Sequence, residues 1–282
     1  MHKEIRPDTA DTTRPDNVRL YDQDALWVRS YLDDPHYRTK ARLVRGMIPE
    51  GAQSILDVAC GNGAIANLLK DYWTVGGDRS LTPLRHVTGP AVQLSADSLP
   101  FPDRAFDLVM CHQALEHFSE AVFHPAIHEL ARVARRYLLI SVPYRERLAQ
   151  QDARCADCRH IYHVWGHLRS FRRVREVRNL FPGFELRIHA FCGPENSYMT
   201  PQGLWIRQRL GGRWAVTPTA LCPKCGSRSQ FAAGFPRRAI AAVVDRIEDR
   251  LPRVPAFWWL VCLLERTGAS GDSIVARQPL AP

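Results

Sequence analysis

Two clusters of residues in this sequence have the types and spacing that chemistry needs. The first is a set of four cysteines. Cys155 and Cys158 form a C-x-x-C pair in RCADCRH, and Cys222 and Cys225 form another in LCPKCGS. Two such pairs are the half-sites of a tetrahedral zinc centre with four thiolates. Proline and glycine in C-P-K-C-G favour the tight turn whose amides face thiolate sulfur. His160, His163 and His167 follow closely enough to give a mixed Cys/His site instead, and unliganded thiols are the third reading. A redox role fits poorly, because a thioredoxin-type C-x-x-C opens a helix after a strand and neither pair has that context.

The second cluster is acidic and glycine-rich. QSILDVA (53–59) is a short apolar run that predicts a strand with Asp57 near its end, and Cys60, Gly61, Asn62 and Gly63 follow. AIANLLKDYW then has helical spacing. Glycine is needed where a backbone must turn tightly and let a ligand come close. YWTVGGD predicts a second strand ending at Asp78, about twenty residues after Asp57, where a carboxylate can accept hydrogen bonds from both ribose hydroxyls.

The elements that must position these residues continue the alternation. Strands are predicted at 91–95, 106–111 and 137–142, the last stopped by Pro143, and a helix at 120–134. HLRSFRRVREVRNLFPGF predicts a helix, FELRIHAFCG a sixth strand, RRAIAAVVDRIEDRL an amphipathic helix and FWWLVCLLER a last strand, with GDSIVARQPLAP as a tail. Alternating β and α segments over this length predict an α/β fold: a Rossmann-like, doubly wound, mainly parallel seven-stranded sheet. Ligands on such sheets sit outside the carboxyl ends of the strands.

In that register, ILDVACGNG, Asp78, ADSLPFPDRAFDLVMCHQALEHF and LLISVP together resemble the class I S-adenosylmethionine-dependent methyltransferases, in the group called type 11. The resemblance covers about residues 50–145. It implies that Asp57, Gly61 and Gly63, with Ala59, Cys60 and Asn62 in the same loop, receive the methionine part of S-adenosylmethionine. It implies that Asp78 holds the ribose with Arg79 beside it. Asp97 and Ser98 would lie beside the adenine next to Leu99, and the turn Cys111, His112 and Gln113 would close over the sulfonium. Ala59 departs from the family, which has glycine there. A dehydrogenase would want its glycine loop near the chain start and a G-x-x-G spacing, and both are missing. A related branch, the ubiquinone-type O-methyltransferases, binds a divalent cation through E-V-L-E-H. Here the matching stretch is Gln113-Ala-Leu-Glu116-His117, and the lost carboxylate argues against a hard cation.

Methyl transfer is an in-line displacement, so a general base is needed only if the acceptor must lose a proton. The candidates are His112, Glu116 and His117. Glu116 and His117 read equally well as a helix-start pair bonded to backbone. The N-terminal helical segment offers Tyr21, Trp27, Tyr31 and Tyr37 as a lid over the acceptor pocket, with Trp27 read as a packing residue. Cys192 and Cys262 read as buried and inert.

The chain accordingly divides into a helical lid (1–48), the cofactor core (49–144), a first zinc-knuckle insertion (145–167), a return to the core (168–192), a second knuckle insertion (193–235) and a C-terminal helix and strand (236–282). One zinc ion would tie the two insertions together. The net charge is +9, and residues 132–187 hold 13 arginines against 5 acids. Such a field attracts anions, although surface charge often serves only solvation. The acceptor is thus expected to be a small anionic metabolite, a sugar or natural-product intermediate of a biosynthetic pathway. The alternative is RNA, its phosphates gripped by the arginine-rich zinc region. CHQA follows the fourth strand where an amino-methylase would carry N/D-P-P-Y/F. No run is long and apolar enough for a membrane span or a signal peptide, so a cytoplasmic protein with reduced thiols is expected.

Overall fold

The computed structural model describes residues 18–28, 31–251 and 255–268. The tail from Gly271 and the first seventeen residues of the lid therefore lie outside the described residues. Helices α1 (Val18–Tyr21) and α2 (Pro35–Gly46) precede the sheet, with single 3-10 turns at Asp24–Leu26 and Tyr31–Asp33 between them. Asp34 starts α2: its side chain accepts from His36 N–H, and Pro35 occupies the first turn, where no donor is needed.

The sheet strands in chain order are β1 (Ser54–Val58), β2 (Trp73–Asp78), β3 (Ala91–Gln93), β4 (Phe106–His112) and β5 (Ala134–Pro143). A small hairpin, β6 (Asp152–Arg154) and β7 (Ile161–His163), stands apart, and β8 (Phe184–Ser197) and β9 (Pro255–Arg266) complete the main sheet. The helices between them are α3 (Leu81–Leu84), α4 (Glu120–Val133), α5 (Val174–Leu180), α6 (Pro201–Trp205) and α7 (Arg237–Glu248). The sheet order is β3-β2-β1-β4-β5-β9-β8; β1 to β5 pair in parallel, and β9 pairs antiparallel with both β5 and β8. This is the expected doubly wound seven-stranded sheet. Its order reverses between β1 and β4, the place where such sheets open a crevice for a ligand.

Side chains of a strand alternate between faces, and the core divides accordingly. Leu56, Val58, Val109, Leu138 and Ile140 pack toward Ala126, Ile127 and Leu130 of α4 and Val177 of α5. Ile55, Leu108, Met110 and Leu139 face the other way, toward Val44 of α2 and Trp259 of β9. At β9 the greasy run Ala256–Leu264 is a sheet strand, as its length suggested.

Two expected helices are shorter than predicted. After Gly63 only Ala66–Leu68 forms a 3-10 turn. Running back along β1, about 17 Å at 3.3 Å per residue, takes about 11 helical residues, and only 64–72 are available. Asn67 instead ties this segment to the next loop, donating to His86 O and accepting from Thr88 N–H. The helix expected from His167 begins only at Val174. Residues 168–171 are held extended, because Leu168 N–H donates to Glu116 O and Phe171 bridges Tyr144. Strand β8 is longer than expected and runs through Cys192, past the 192/193 division, to Ser197 with an irregularity between Cys192 and Glu195.

Candidate functional site

Asp78 is the last residue of β2, and its carboxylate organises the glycine loop. One oxygen accepts from Gly61 N–H at 2.9 Å and the other from Ser80 N–H at 2.9 Å. Ala59, Gly61 and Gly63 all take positive φ (57°, 55° and 71°), the left-handed region that glycine enters without penalty and alanine does not. A methyl group on Gly61 would lie 2.8 Å from the Trp27 ring, so the lid rests on the bare backbone there. Asp57 is buried within β1, ahead of the loop. Burial first, and Asp78 second, push its carboxyl up to about 7.

Two cavities meet at this loop, sharing Tyr21, Trp27, Ala59, Gly61, Gln113 and His117. The first lies over β1, β2 and β4 and is walled by Asp78, Arg79, Ser80, Leu94, Ser95 and Ala96. The second extends toward α2 and the first insertion and is walled by Asp57, Cys60, Asn62, His112, Glu116 and Lys40 among others. Asn62 Oδ1 is buried without a hydrogen-bond partner in the described residues. Asp97, Ser98 and Leu99 do not line the first cavity. Ser95 and Ala96 take that place, and Ser95 donates its hydroxyl hydrogen to Asp97. Cys111 is buried within β4 and lines neither cavity.

The turn after β4 is anchored from β5. Gln113, at φ 52°, donates its backbone N–H to Ser141 O, and its side-chain amide to Ser141 Oγ at 3.1 Å. His112 Nδ1 lies 3.2 Å from the same hydroxyl, while its Nε2 is buried with no partner among the described residues. Burial, with Lys40 nearby, lowers the His112 pKa, so its ring is neutral. Glu116 is fully buried, and burial raises its carboxyl to about 8. Tyr21, Trp27, Tyr31 and Tyr37 form an aromatic wall, with Tyr31 and Tyr37 ring centres 5.0 Å apart and Tyr37 and Trp259 4.8 Å apart. Trp27 both packs and lines the site, and its Nε1–H donates to Tyr21 O at 2.7 Å. Lys40, Tyr198, Trp258 and Trp259 also line the second cavity. Sequence alone did not single them out, since they reach the site from α2, β8 and β9 through the topology.

The two cysteine pairs come together. Cys155 and Cys225 sulfurs are 3.6 Å apart, Cys158 and Cys222 sulfurs are 3.6 Å apart, and all four lie within 4.8 Å of one another. Hairpin β6–β7 presents the first pair. Gly226, at φ 72°, closes the second knuckle by donating its N–H to Cys222 O. Burial raises the Cys155 thiol, but N–H groups of Cys158 and Asp157 outweigh it and bring it down to about 7. Burial pushes Cys222 up to about 12. His160, His163 and His167 are not in this cluster. Cys192 and Cys262 are buried in the sheet, as expected.

The arginine-rich window is largely committed to structure. Arg132 pairs with Glu129 and Asp103, Arg135 with Asp107, Arg136 and Arg187 with Glu265, and Arg169 caps Leu115 and Phe118 carbonyls. None of its 13 arginines lines either cavity. Among the described residues, no helix is long and apolar enough to cross a membrane.

Residues 56–138 match the family model described as a methyltransferase domain. A protein of Methanocaldococcus jannaschii is 33% identical over 102 residues, 35% of this chain and 44% of that protein. The methyltransferase YcgJ of Bacillus subtilis is 45% identical over 51 residues, 17% of this chain and 19% of that protein. The chain thus spans less than half the length of each of these relatives. A solved complex of the Haloferax volcanii Trm112 methyltransferase activator with a methyltransferase aligns over 86% of this chain and 96% of the matched one, at 16% identity and a TM-score of 0.49. The matched segment runs from β1 into β5 and holds the glycine loop, Asp78 and the turn after β4, so over these residues the chain is similar to a methyltransferase domain.

Proposed function

We propose that the whole chain is a methyltransferase that moves a methyl group from S-adenosylmethionine to a small-molecule acceptor seated in the second cavity. The observation that carries this reading is Asp78. Its carboxylate is fixed by the Gly61 and Ser80 amides at the wall of a crevice where the sheet order reverses. The residues fit the cofactor. Asp78 would take the ribose hydroxyls with Arg79 and Ser80 beside it, and Leu94, Ser95 and Ala96 would flank the base. Gly61, Gly63, Asp57 and the unpartnered Asn62 carbonyl would receive the methionine end with its ammonium. When bound, the cofactor supplies a methyl group on a sulfonium, activated for displacement.

The chain's own residues then have three tasks. The lid residues Tyr21 and Trp27 exclude water from the loop. Gln113, locked by Ser141, closes the floor and fixes the line of approach, which is the main source of rate for such a step. His112, neutral and with Nε2 unpartnered, can accept a proton from the acceptor.

The acceptor is read as a metabolite of a biosynthetic pathway rather than RNA, because the cavity wall is aromatic and none of the window arginines lines either cavity. For the same reason its anionic character rests on Arg79 and the overall field alone. The protein is read as cytoplasmic. The four cysteines are read as a structural zinc site, since zinc–sulfur bonds of about 2.3 Å in a tetrahedron place sulfurs about 3.8 Å apart, close to the separations seen.

Titration calorimetry with S-adenosylhomocysteine tests the reading. Asp78→Ala should weaken uptake at least tenfold, the scale of one or two charge-assisted hydrogen bonds at ~1.5–3 kcal/mol each. No uptake by the folded parent, or unchanged uptake by the variant, would overturn it.

A further inference from the structure

Beside the cofactor crevice lies a second cluster of metal-ligating side chains, separate from the cysteines. One donor atom from each of Glu116, His117 and His167 falls within 4.8 Å of the others, and Glu146, His163 and His167 form an overlapping trio. Glu116 and His117 come from the turn after β4. Glu146, His163 and His167 come from the first insertion, whose segment after His167 is stitched to that turn through Leu168 N–H and Glu116 O at 2.7 Å.

The independent sign of a ligand is Glu116 itself. Its side chain is fully buried, and neither carboxylate oxygen has a hydrogen-bond partner in the described residues. Among the described residues, the ion-pair neighbour of Glu116 is His117 Nε2, 3.9 Å away. A buried carboxyl with both oxygens unpartnered is costly, and a bound cation removes the cost. His167 has the second partner that metal-bound histidines usually have, and His117 shares its ring nitrogens with the Tyr21 hydroxyl, 3.2 Å from each. His167 Nδ1 donates to Glu146 at 2.5 Å, and His117 Nδ1 lies 3.4 Å from Gly166 O. The His117 and His167 ring centres are 4.7 Å apart.

We propose that Glu116, His117 and His167 bind one divalent first-row transition-metal ion, with Glu146 holding His167 in place. Bonds of about 2.0–2.2 Å would draw the three donors together by about 1 Å, within the reach of side-chain torsions. One carboxylate and two imidazoles suit zinc, iron(II), cobalt or manganese. Gln113 supplies no ligand, and its amide is held by Ser141. His167, delivered by the insertion, fills that place, so the motif is completed in space rather than in sequence.

The site deepens the proposed function and rests on it. Glu116, His117, Glu146 and His167 all line the second cavity, so the ion would face the acceptor. The acceptor class is then a hydroxyl compound, with one oxygen or a vicinal pair able to ligate the ion, which lowers the hydroxyl pKa. In the transfer the hydroxyl oxygen forms the bond to the methyl carbon. The carbon–sulfur bond breaks with its electron pair going to sulfur, and the hydroxyl proton passes to His112.

The test is a cobalt(II) titration of the metal-free, full-length protein, read by absorbance. The expected result includes an equivalent with d–d bands and no sulfur-to-cobalt charge-transfer band, distinct from the thiolate-type equivalent of the cysteine cluster. Glu116→Gln and His167→Gln should each weaken the sulfur-free equivalent at least tenfold and keep the thiolate band, which also reports an intact insertion. Cys222→Ser should do the converse. Thiolate-type binding alone, or a sulfur-free equivalent that neither substitution changes, overturns the proposal. Calorimetry with S-adenosylhomocysteine on the same samples separates the two readings. Cofactor uptake without the sulfur-free ion defeats this inference only, and the sulfur-free ion without cofactor uptake defeats the methyltransferase reading beneath it.

Discussion

Asp57 carries a pH dependence of its own. Its carboxyl sits at about 7 in the folded protein, raised by burial and then by Asp78, against an ordinary value near 4. A raised pKa means that the folded state holds the proton more tightly. Its stabilising contribution is therefore complete below about pH 4 and is lost as pH rises toward 7. In the proposed binding mode, the cofactor's ammonium group would reverse the preference by favouring the ionised carboxylate. Uptake of S-adenosylhomocysteine should strengthen several-fold between pH 6 and pH 8 and release a proton near pH 6.5. Asp57→Asn should flatten that profile, as calorimetry in buffers of different ionisation enthalpy would show. Ala59 offers a second check. It holds φ 57° without glycine's freedom, so Ala59→Gly should raise stability by about 1 kcal/mol in a denaturant titration and leave the fold unchanged. Asp78 and the glycine loop were legible in the sequence because strand, turn and acid follow one another at short range. The approach of His167 to within 4.8 Å of Glu116 was not, since about fifty residues separate them and only the fold brings them together.

Among the elements, the hairpin β6–β7 and the Cys222 knuckle depend on each other. Their shared core is small: Ala153, Cys155, Tyr162, Val164, Ala220 and Cys222. Backbone hydrogen bonds such as Phe231 N–H to Arg154 O and Ala156 N–H to Ser229 O join the two loops over this small core, and a structural zinc ion would add several kcal/mol or more. Purified protein should carry one zinc per chain at the cysteines. Cys222→Ser should lose that zinc and raise amide exchange in residues 152–163 and 215–231, with β1, β4 and β5 still protected. Metal-free protein with unchanged exchange would refute the tetrathiolate centre. The strands were readable from apolar runs bounded by turn residues. Two of the helix lengths were not, although α4 runs Glu120–Val133 against an expected 120–134. The stretch after Gly63 has helical spacing, yet too few residues remain before β2 for a returning helix, and Arg169 and Leu168 are pulled straight by the turn after β4. Sequence periodicity records which face of a segment is apolar and says nothing of the span it must cover.

At the scale of the whole molecule, β9 joins the parallel half of the sheet to β8, and a buried charge marks the junction. Glu265 is 4% exposed and receives Arg136 at 2.7 Å and Arg187 at 2.6 Å, one from each flanking strand. Both arginines keep contact with solvent, so Glu265→Ala should cost about 1–3 kcal/mol by thermal or chemical denaturation, less than a fully buried pair would. The same pairing shows that part of the arginine content braces the fold. Doubly wound topology could be anticipated from the alternation of elements, but which insertion reaches the active site could not, because insertions are placed by contacts distant in sequence. Residues 146–167 supply Cys155 and Cys158 at one end of a hairpin and Glu146, His163 and His167 at the other. A preparation handled with strong chelators or thiol oxidants would on this arrangement be damaged unevenly: the half that recognises the acceptor would fail first, while the nucleoside half would still give a clean binding isotherm and pass for active enzyme.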